Sequence, residues 1–366
     1  MTDCGGGEAR RAIIQPLRAL RAKRVVIVDW SMIGDLIMLS PCVRAIRLHF
    51  PEAHLAILGQ PISIATYKHH PDVNELIPYD RSQGDYDIQS FRKAVRLLRG
   101  SRFDLGFVFH NSIGSALMTF MGRVRQRVGY RYEGRDLLLT HRFRLPERRQ
   151  HLIETKADLL RSCGITVDDL GERVFIDEGS ARRWVHETLG PNFGRNRPVI
   201  AVSIGATKDF KHWSAAGLHA FLNRFPVNSA DFVFLGAPAE RRLYEGVYSY
   251  NNTVVDLVGQ TTVEELTWAI DRADLFVGPD SGPMHLALGR NTPVVALFGP
   301  TDPTRCGPYQ SDRAVVVRAE RICPRCEVQY GKNIRQCLHT VDPEEAYCAA
   351  IGLLAQHCSR WSIDKA

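Results

Sequence analysis

The chain has 366 residues, 45% of them hydrophobic and 24% charged. That balance excludes a disordered, collagen-like or disulfide-stapled chain, and the length suggests two domains with ordinary buried cores. The formal net charge of +7 is uneven: positions 1–180 hold 27 Lys and Arg against 21 Asp and Glu, a net +6, which leaves +1 for the remainder.

Positions 1–23 read as a basic extension without the uninterrupted apolar run of a signal peptide. No stretch approaches the ~18 apolar residues of a membrane span. Nine cysteines, an odd number, fit free thiols in a reducing cytoplasm.

From "RVVIVDW" (24–30) onward, short apolar runs alternate with segments of helical spacing. The run itself reads as a buried parallel strand. Leu36, Leu39, Val43 and Ile46 then recur as on one helix face. "HLAILG" and "NELIPYD" read as strands, "FRKAVRLLRG" as a helix, "FDLGFVFH" as a strand, and "SALMTFMG" and "HLIETKADLLRSCGI" as helices. The pattern restarts after a polar, Gly/Pro-bearing seam, "EGSARRWVHETLGPNFGRNRP". "RPVIAVSIGA", "DFVFLGAPAE", "DLFVGPD" and "PVVALFGP" read as strands. The helices among them are "WSAAGLHAFLNRF", "TVEELTWAIDRA" and "GPMHLALGR". "DPEEAYCAAIGLLAQHC" is a last helix. Such alternation predicts an α/β fold of two doubly wound, Rossmann-like domains. The expected layout is an extension 1–23, domains 24–180 and 195–345, and a C-terminal helix 346–366.

Open parallel sheets bind ligands beyond the carboxyl ends of their strands. Four polar interruptions fall there: Ser31–Asp35, His110-Asn111, Gly205–Lys211 and Asp280–His285. In the last, Pro283 suits the first helical position, and Ser281 or Gly282 would cap the helix. Free N–H groups at such an end attract an anion, with His285 as a further donor. A well-capped turn with His285 simply buried is the plainer alternative. Thr207, Lys208 and Lys211 could hold a pyrophosphate, or be ordinary loop residues. Asp35, at a tight strand-to-helix turn, reads equally as a helix cap or a general base facing the cleft.

Positions 101–150 contain ten Arg, no Lys and four acids. Arg-rich patches suit phosphate or carboxylate, although a solvated basic face has the same composition. No nucleic-acid-binding motif is visible, and nucleic acid is not expected as a partner. Cys323, Cys326, Cys337 and Cys348 include a CxxC and allow a tetrahedral metal site. But Cys348 falls in the expected tail helix and the second pair is not a CxxC, so reduced thiols are the simpler reading.

In order and at these spacings, "SMIGDLIMLSPCVRAIRLHFPEAHLAILG", "TKDFKHWSAAGL", "LGAPAE" and "DLFVGPDSGPMHLALGRNTPVVALFGPTDP" resemble the heptosyltransferases of glycosyltransferase family 9, over about positions 24–350. The resemblance implies a GT-B fold: an acceptor half facing a nucleotide-sugar half. It implies inverting transfer of L-glycero-D-manno-heptose from ADP-heptose to the lipopolysaccharide inner core, with no metal and no cofactor. Asp35 falls where that family places its catalytic base, and Thr207 and Lys211 where it binds the donor's phosphates. Glu240 matches the acid on the ribose. Asp280, Ser281, Gly282 and His285 match the donor-binding turn. Lys208 and Asn111 are added as substrate-binding candidates. The acceptor implied is an anionic phosphorylated glycolipid. The protein would then be cytoplasmic and in peripheral contact with the inner membrane. Three departures stand out: Asp29-Trp30 replaces the basic residue usual at the end of the first strand, the extension 1–23 is not a core family feature, and the Cys-bearing tail is like that of metal-holding relatives that glycosylate proteins. A protein or other saccharide acceptor, or a non-catalytic nucleotide-sugar-binding protein, are the alternatives.

Overall fold

Strand β1 (Arg24–Val28) buries side chains on both its faces: Val25 and Ile27 join one core cluster, Val26 and Val28 another. Alternate residues of a strand point to opposite sides, so a strand apolar at every position belongs in a sheet covered twice. The computed structural model describes residues 22–81, 87–132, 134–147, 150–247, 249, 252–319 and 338–361.

Within the first half, β2 (His54–Gly59), β3 (Glu75–Pro78), β4 (Leu105–Val108), β5 (Gln126–Tyr130) and β6 (His141–Phe143) complete a parallel sheet of order β3-β2-β1-β4-β5-β6. Its helices are α1 (Ile33–Ile37), α2 (Ser40–His49), α3 (Pro61–Ile64), α4 (Ile88–Ser101), α5 (Ile113–Met121) and α6 (Leu152–Ser162). On one side, α2 and α6 set Val43, Ile46, Leu159 and Leu160 into the cluster of Ile27, Leu55 and Phe107. On the other, α4 and α5 bring Val95, Leu98 and Met118 to Val26, Val28 and Leu58.

The segment expected to be a polar seam instead contains helix α7 (Glu178–Leu189). Asp177 caps it by accepting from the Gly179 N–H at 3.2 Å, and Ala181 and Leu189 are buried. Gly190, at φ 87°, stops that helix, so the Gly/Pro signal marks a helix end. The Arg-rich segment likewise yields two strands, β5 and β6, which the charge pattern had masked.

In the second half, β7 (Val199–Val202), α8 (Ala215–Leu222), β8 (Asp231–Phe234), β9 (Thr253–Asp256), α9 (Val263–Arg272), β10 (Leu275–Pro279), α10 (Gly282–Gly289), β11 (Val294–Phe298), α11 (Pro303–Cys306) and β12 (Ala314–Arg318) follow one another. The sheet is again parallel, of order β12-β11-β10-β7-β8-β9. The C-terminal helix Pro343–His357 lies beside α8, its Leu353 and Leu354 sharing a cluster with Leu218, Phe221 and Val202.

Each sheet reverses its strand order beside its own first strand, between β1 and β4 and between β7 and β10. The crevice outside such a reversal is where open α/β sheets bind ligands. The four polar interruptions follow these four strands. The two crevices meet because α1 lies against α10: Ile37 shares a cluster with Met284 and Leu286. A Cβ built on Gly34 would sit 2.6 Å from His285 Cδ2. Glycine is required there by close approach, since any side chain would push the two helices apart.

Candidate active site

Asp35 occupies the first turn of α1, with no side-chain cap at Met32 ahead of it. Burial is the largest influence on its carboxyl and raises its pKa. Asp29 and Asp280 push the same way, while Lys156 and His285 oppose them without prevailing. Asp35 is thus a part-buried acid between Lys156 and His285, one from each half of the molecule.

Beneath it lies a buried ion pair. Asp29 Oδ2 accepts from Lys156 Nζ at 2.7 Å, and the other oxygen accepts from the backbone N–H and hydroxyl of Ser31 at 3.0 and 2.6 Å. Burial alone would raise the Asp29 pKa, but Lys156 and Ser31 hold it below the usual carboxylate value. Lys156 answers in kind: burial would lower its pKa, and Asp29 followed by Asp35 raise it. Lys156 comes from α6, far along the chain. It sets a positive charge beside Asp29, at the end of β1.

Beside this pair opens a cleft of about 490 Å³, lined in part by Asp35, His110, Asn111, Tyr130, Tyr132 and Lys156. Asn111 is fixed from below: its Oδ1 accepts from Arg135 Nη2 at 3.0 Å. Arg135 is fully buried and also donates to the carbonyls of Tyr130 and His110 at 2.7 and 2.5 Å. Burial pulls its pKa down to about 10. One of the ten arginines is therefore a buried brace under the site, not part of a basic face. His110 lies against the Trp30 ring, centroids 4.6 Å apart, and burial pulls its pKa down to about 4.

The second half faces Asp35 with α10. Ser281 stands at the N-cap, but its hydroxyl donates back to the Pro279 carbonyl at 3.2 Å and caps nothing. The expected side-chain cap is thus absent, and the Gly282 and Met284 N–H groups of the first turn receive no side-chain acceptor from Ser281. His285 is buried, as the plainer reading held, yet it is also paired. Its Nδ1 lies 2.6 Å from Glu172 Oε1, both side chains about 5% exposed or less. Burial would lower its pKa; Glu172, then Asp280 and Asp35, raise it. The other edge of the ring faces Gly34.

Lys211 Nζ donates to Asp280 Oδ2 at 2.6 Å and to the Asp280 carbonyl at 3.3 Å. The Cys306 thiol donates to the same Oδ2 at 3.4 Å. Burial and then Asp280 push its pKa up to about 12, with Lys211 opposing and Asp35 reinforcing. Glu240 lies over the strand ends of β7 and β8: a Cβ on Gly205 would fall 2.1 Å from its carboxyl carbon, and one on Gly236 2.7 Å from an oxygen. Glu240 accepts from the Ala237 N–H at 2.8 Å, and burial raises its pKa. Thr207 and Lys208 are exposed on the loop after β7.

Residues 91–334 match the profile of glycosyltransferase family 9 (heptosyltransferase). The chain belongs to that family. It is a glycosyltransferase. Lipopolysaccharide heptosyltransferase 2 of Escherichia coli K12 is 27% identical over 312 residues, which span 81% of this chain and 88% of that one. Among solved structures, a family 9 glycosyltransferase from Veillonella parvula superposes with TM-score 0.80 at 22% identity, over 91% of this chain and 98% of that one. The E. coli ADP-heptose lps heptosyltransferase II does so with TM-score 0.73 at 23% identity, over 91% and 99%. The fold is GT-B.

For this family 9 glycosyltransferase, the structure brings Asp35 within electrostatic reach of Asp280 and His285, and Asp280 in turn holds Lys211. Asn111 lines the cleft beside Asp35, and Glu240 covers Gly205 in the second half. The sequence reading missed Lys156, Glu172, Cys306 and Arg135. Only Lys156 left a signal: it is a charge one helical turn from Ile153 and adjacent to Ala157, both buried. Glu172 lies in a loop with no periodicity to mark it. Cys323, Cys326 and Cys337 lie outside the described residues, and Cys348 is exposed on the C-terminal helix. Among the described residues no group of three His, Cys, Asp or Glu is placed to hold a metal, and no helix is long and apolar enough to cross a membrane.

Proposed function

We propose that this glycosyltransferase moves L-glycero-D-manno-heptose from ADP-heptose to a hydroxyl of the lipopolysaccharide inner core, with inversion at the anomeric carbon. The observation that carries the reading is the raised carboxyl of Asp35, placed between the acceptor-side cleft and the uncapped end of α10. A base whose pKa is lifted toward working pH takes up a proton more effectively. Asp35 removes the acceptor's hydroxyl proton as that oxygen attacks the anomeric carbon. The bond to the ADP oxygen breaks on the opposite face.

Charge then builds on the leaving diphosphate. Lys211, held by Asp280 until the donor arrives, and the open N–H groups of α10 offset it, in place of a divalent ion. Protonated His285 adds positive charge on the same side. Thr207 and Lys208 border the diphosphate, and Glu240 binds the ribose hydroxyls. Asn111, braced by Arg135, and Lys156 face the acceptor. The names of the curated relatives support lipopolysaccharide as that acceptor. An anionic glycolipid acceptor places the enzyme on the cytoplasmic face of the inner membrane, in peripheral contact.

The test is Asp35→Asn assayed by ADP release with ADP-heptose and deep-rough lipopolysaccharide after EDTA treatment. Turnover should fall about 10²–10⁴-fold, while calorimetric ADP affinity stays within about twofold. Turnover above a tenth of the unsubstituted rate removes Asp35 as the base. Equal rates with UDP- or GDP-sugars remove the donor assignment.

A further inference from the structure

We propose that the outer face of α5 and the arginines around it form a docking surface for an anionic lipid bilayer. This rests on the glycolipid-acceptor reading above and says how the acceptor-side cleft reaches its substrate.

α5 is two-sided. Ser115, Ala116, Met118 and Thr119 are buried. Ile113, Leu117, Phe120 and Met121 are 52%, 36%, 50% and 38% exposed. Their spacing of four, three and one residues puts them on one helical face. Leu137, on the 3₁₀ turn Arg135–Leu138 packed against α5, is 87% exposed, the highest value for a large apolar side chain among the described residues. Scattered exposed leucines need no explanation, but a contiguous apolar face does.

Cations rim this face. The Arg127 guanidinium lies over the Phe120 ring, 5.4 Å from its centroid. Arg99 Nε donates to the Met121 carbonyl at 2.7 Å. Arg123 and Arg125 are exposed just past the helix end. Among the described residues the one carboxylate paired with this rim is Asp104, 3.7 Å from an Arg125 nitrogen. Apolar side chains at the centre and arginines at the edge match acyl chains beneath anionic headgroups. A second copy of this chain is the poorer occupant, because a two-fold contact sets each patch against itself and brings the arginines together.

Position supplies the link to function. Ser112 caps α5 by accepting from the Ser115 N–H, and it also lines the acceptor-side cleft. The apolar face begins at the next residue, Ile113. A bilayer against α5 would therefore lie at the mouth of that cleft, where a glycolipid's sugars rise from the surface.

The experiment floats the full chain with vesicles of phosphatidylglycerol and phosphatidylethanolamine, and separately of phosphatidylcholine. Three proteins are compared: unsubstituted, Leu117→Glu with Phe120→Glu, and Arg123→Gln with Arg125→Gln. The unsubstituted chain should float with the anionic vesicles only. The apolar pair should lower that partition at least tenfold, and each arginine removed about fivefold. Circular dichroism and thermal melting check that the exposed substitutions leave the fold intact. Turnover of a de-O-acylated, water-soluble acceptor should be unchanged in both variants, while transfer to vesicle-embedded acceptor falls. Unchanged flotation in the variants overturns the proposal. So does a dimer that sedimentation velocity finds in the unsubstituted chain and not in the variants, with no vesicle binding. Turnover without flotation defeats docking alone; flotation without turnover of any lipopolysaccharide acceptor defeats the functional reading alone.

Discussion

Replacing Lys156 by Met separates the two roles the structure gives it. Its side chain is 12% exposed and that of Asp29 1%, so neither charge is screened much by water. At 2.7 Å the pair's gross attraction is about 6 kcal/mol at an effective dielectric of 20. The net loss is set by the buried carboxylate left behind, about 3–5 kcal/mol. Asp29 escapes part of it by taking up a proton, which at pH 7 costs about 4 kcal/mol from an ordinary carboxylate and so caps the loss. Urea unfolding should show the full loss at neutral pH. The depressed pKa of Asp29 contributes stability above the ordinary carboxylate range and loses it as pH falls through the folded value. The difference between the two proteins should therefore shrink below about pH 4. Asp29→Asn with Lys156→Met should recover most of the stability, because no charge is stranded. In catalysis, Lys156→Met removes the largest influence lowering the Asp35 pKa. The acid limb of the kcat/KM profile should then move to higher pH, since the base must be ionised to act. The double variant, which also loses the raising effect of Asp29, should lie between. A single variant with unchanged urea midpoint and unchanged acid limb refutes the arrangement.

Glu172→Gln removes the partner that raises the pKa of His285. A raised histidine contributes below its unfolded pKa and is lost as pH rises through the folded one. The alkaline limb of the rate profile should therefore move to lower pH, with ADP affinity near pH 7 reduced about three- to tenfold; an unmoved limb rules out protonated His285 as part of the donor site. Cys306, pushed up to about 12, should react with iodoacetamide at pH 8 at least a hundredfold slower than a free thiol of ordinary pKa, as followed by peptide mass spectrometry. A fast reaction means that the thiol does not donate to Asp280.

The resemblance to family 9 and the paired α/β halves were readable because their signals are local. Apolar runs of five or six residues such as "RVVIV" and "VVALF" need only their own side chains to declare a buried strand. The Gly-Pro start of α10 and the Asp at the turn of α1 declare helix beginnings in the same way. Where a segment's charge was the stronger signal, as between Arg123 and Arg144, composition hid two strands. Sheet pairing, which no single segment encodes, decided their state.

What the sequence alone determined is the inventory: two parallel-sheet halves, four polar strand ends, and the residue types Asp35, Lys211, Asp280 and His285 at them. What the tertiary structure alone decided is the electrostatics. Strand order placed all four ends at the two reversals, and Gly34 let α1 close on His285. Lys156 and Glu172, 121 and 137 positions after Asp35 by their numbering, arrive only through that packing. A pKa is set by which charges lie within a few ångströms and how much water is excluded, and neither quantity is a property of neighbours in the chain.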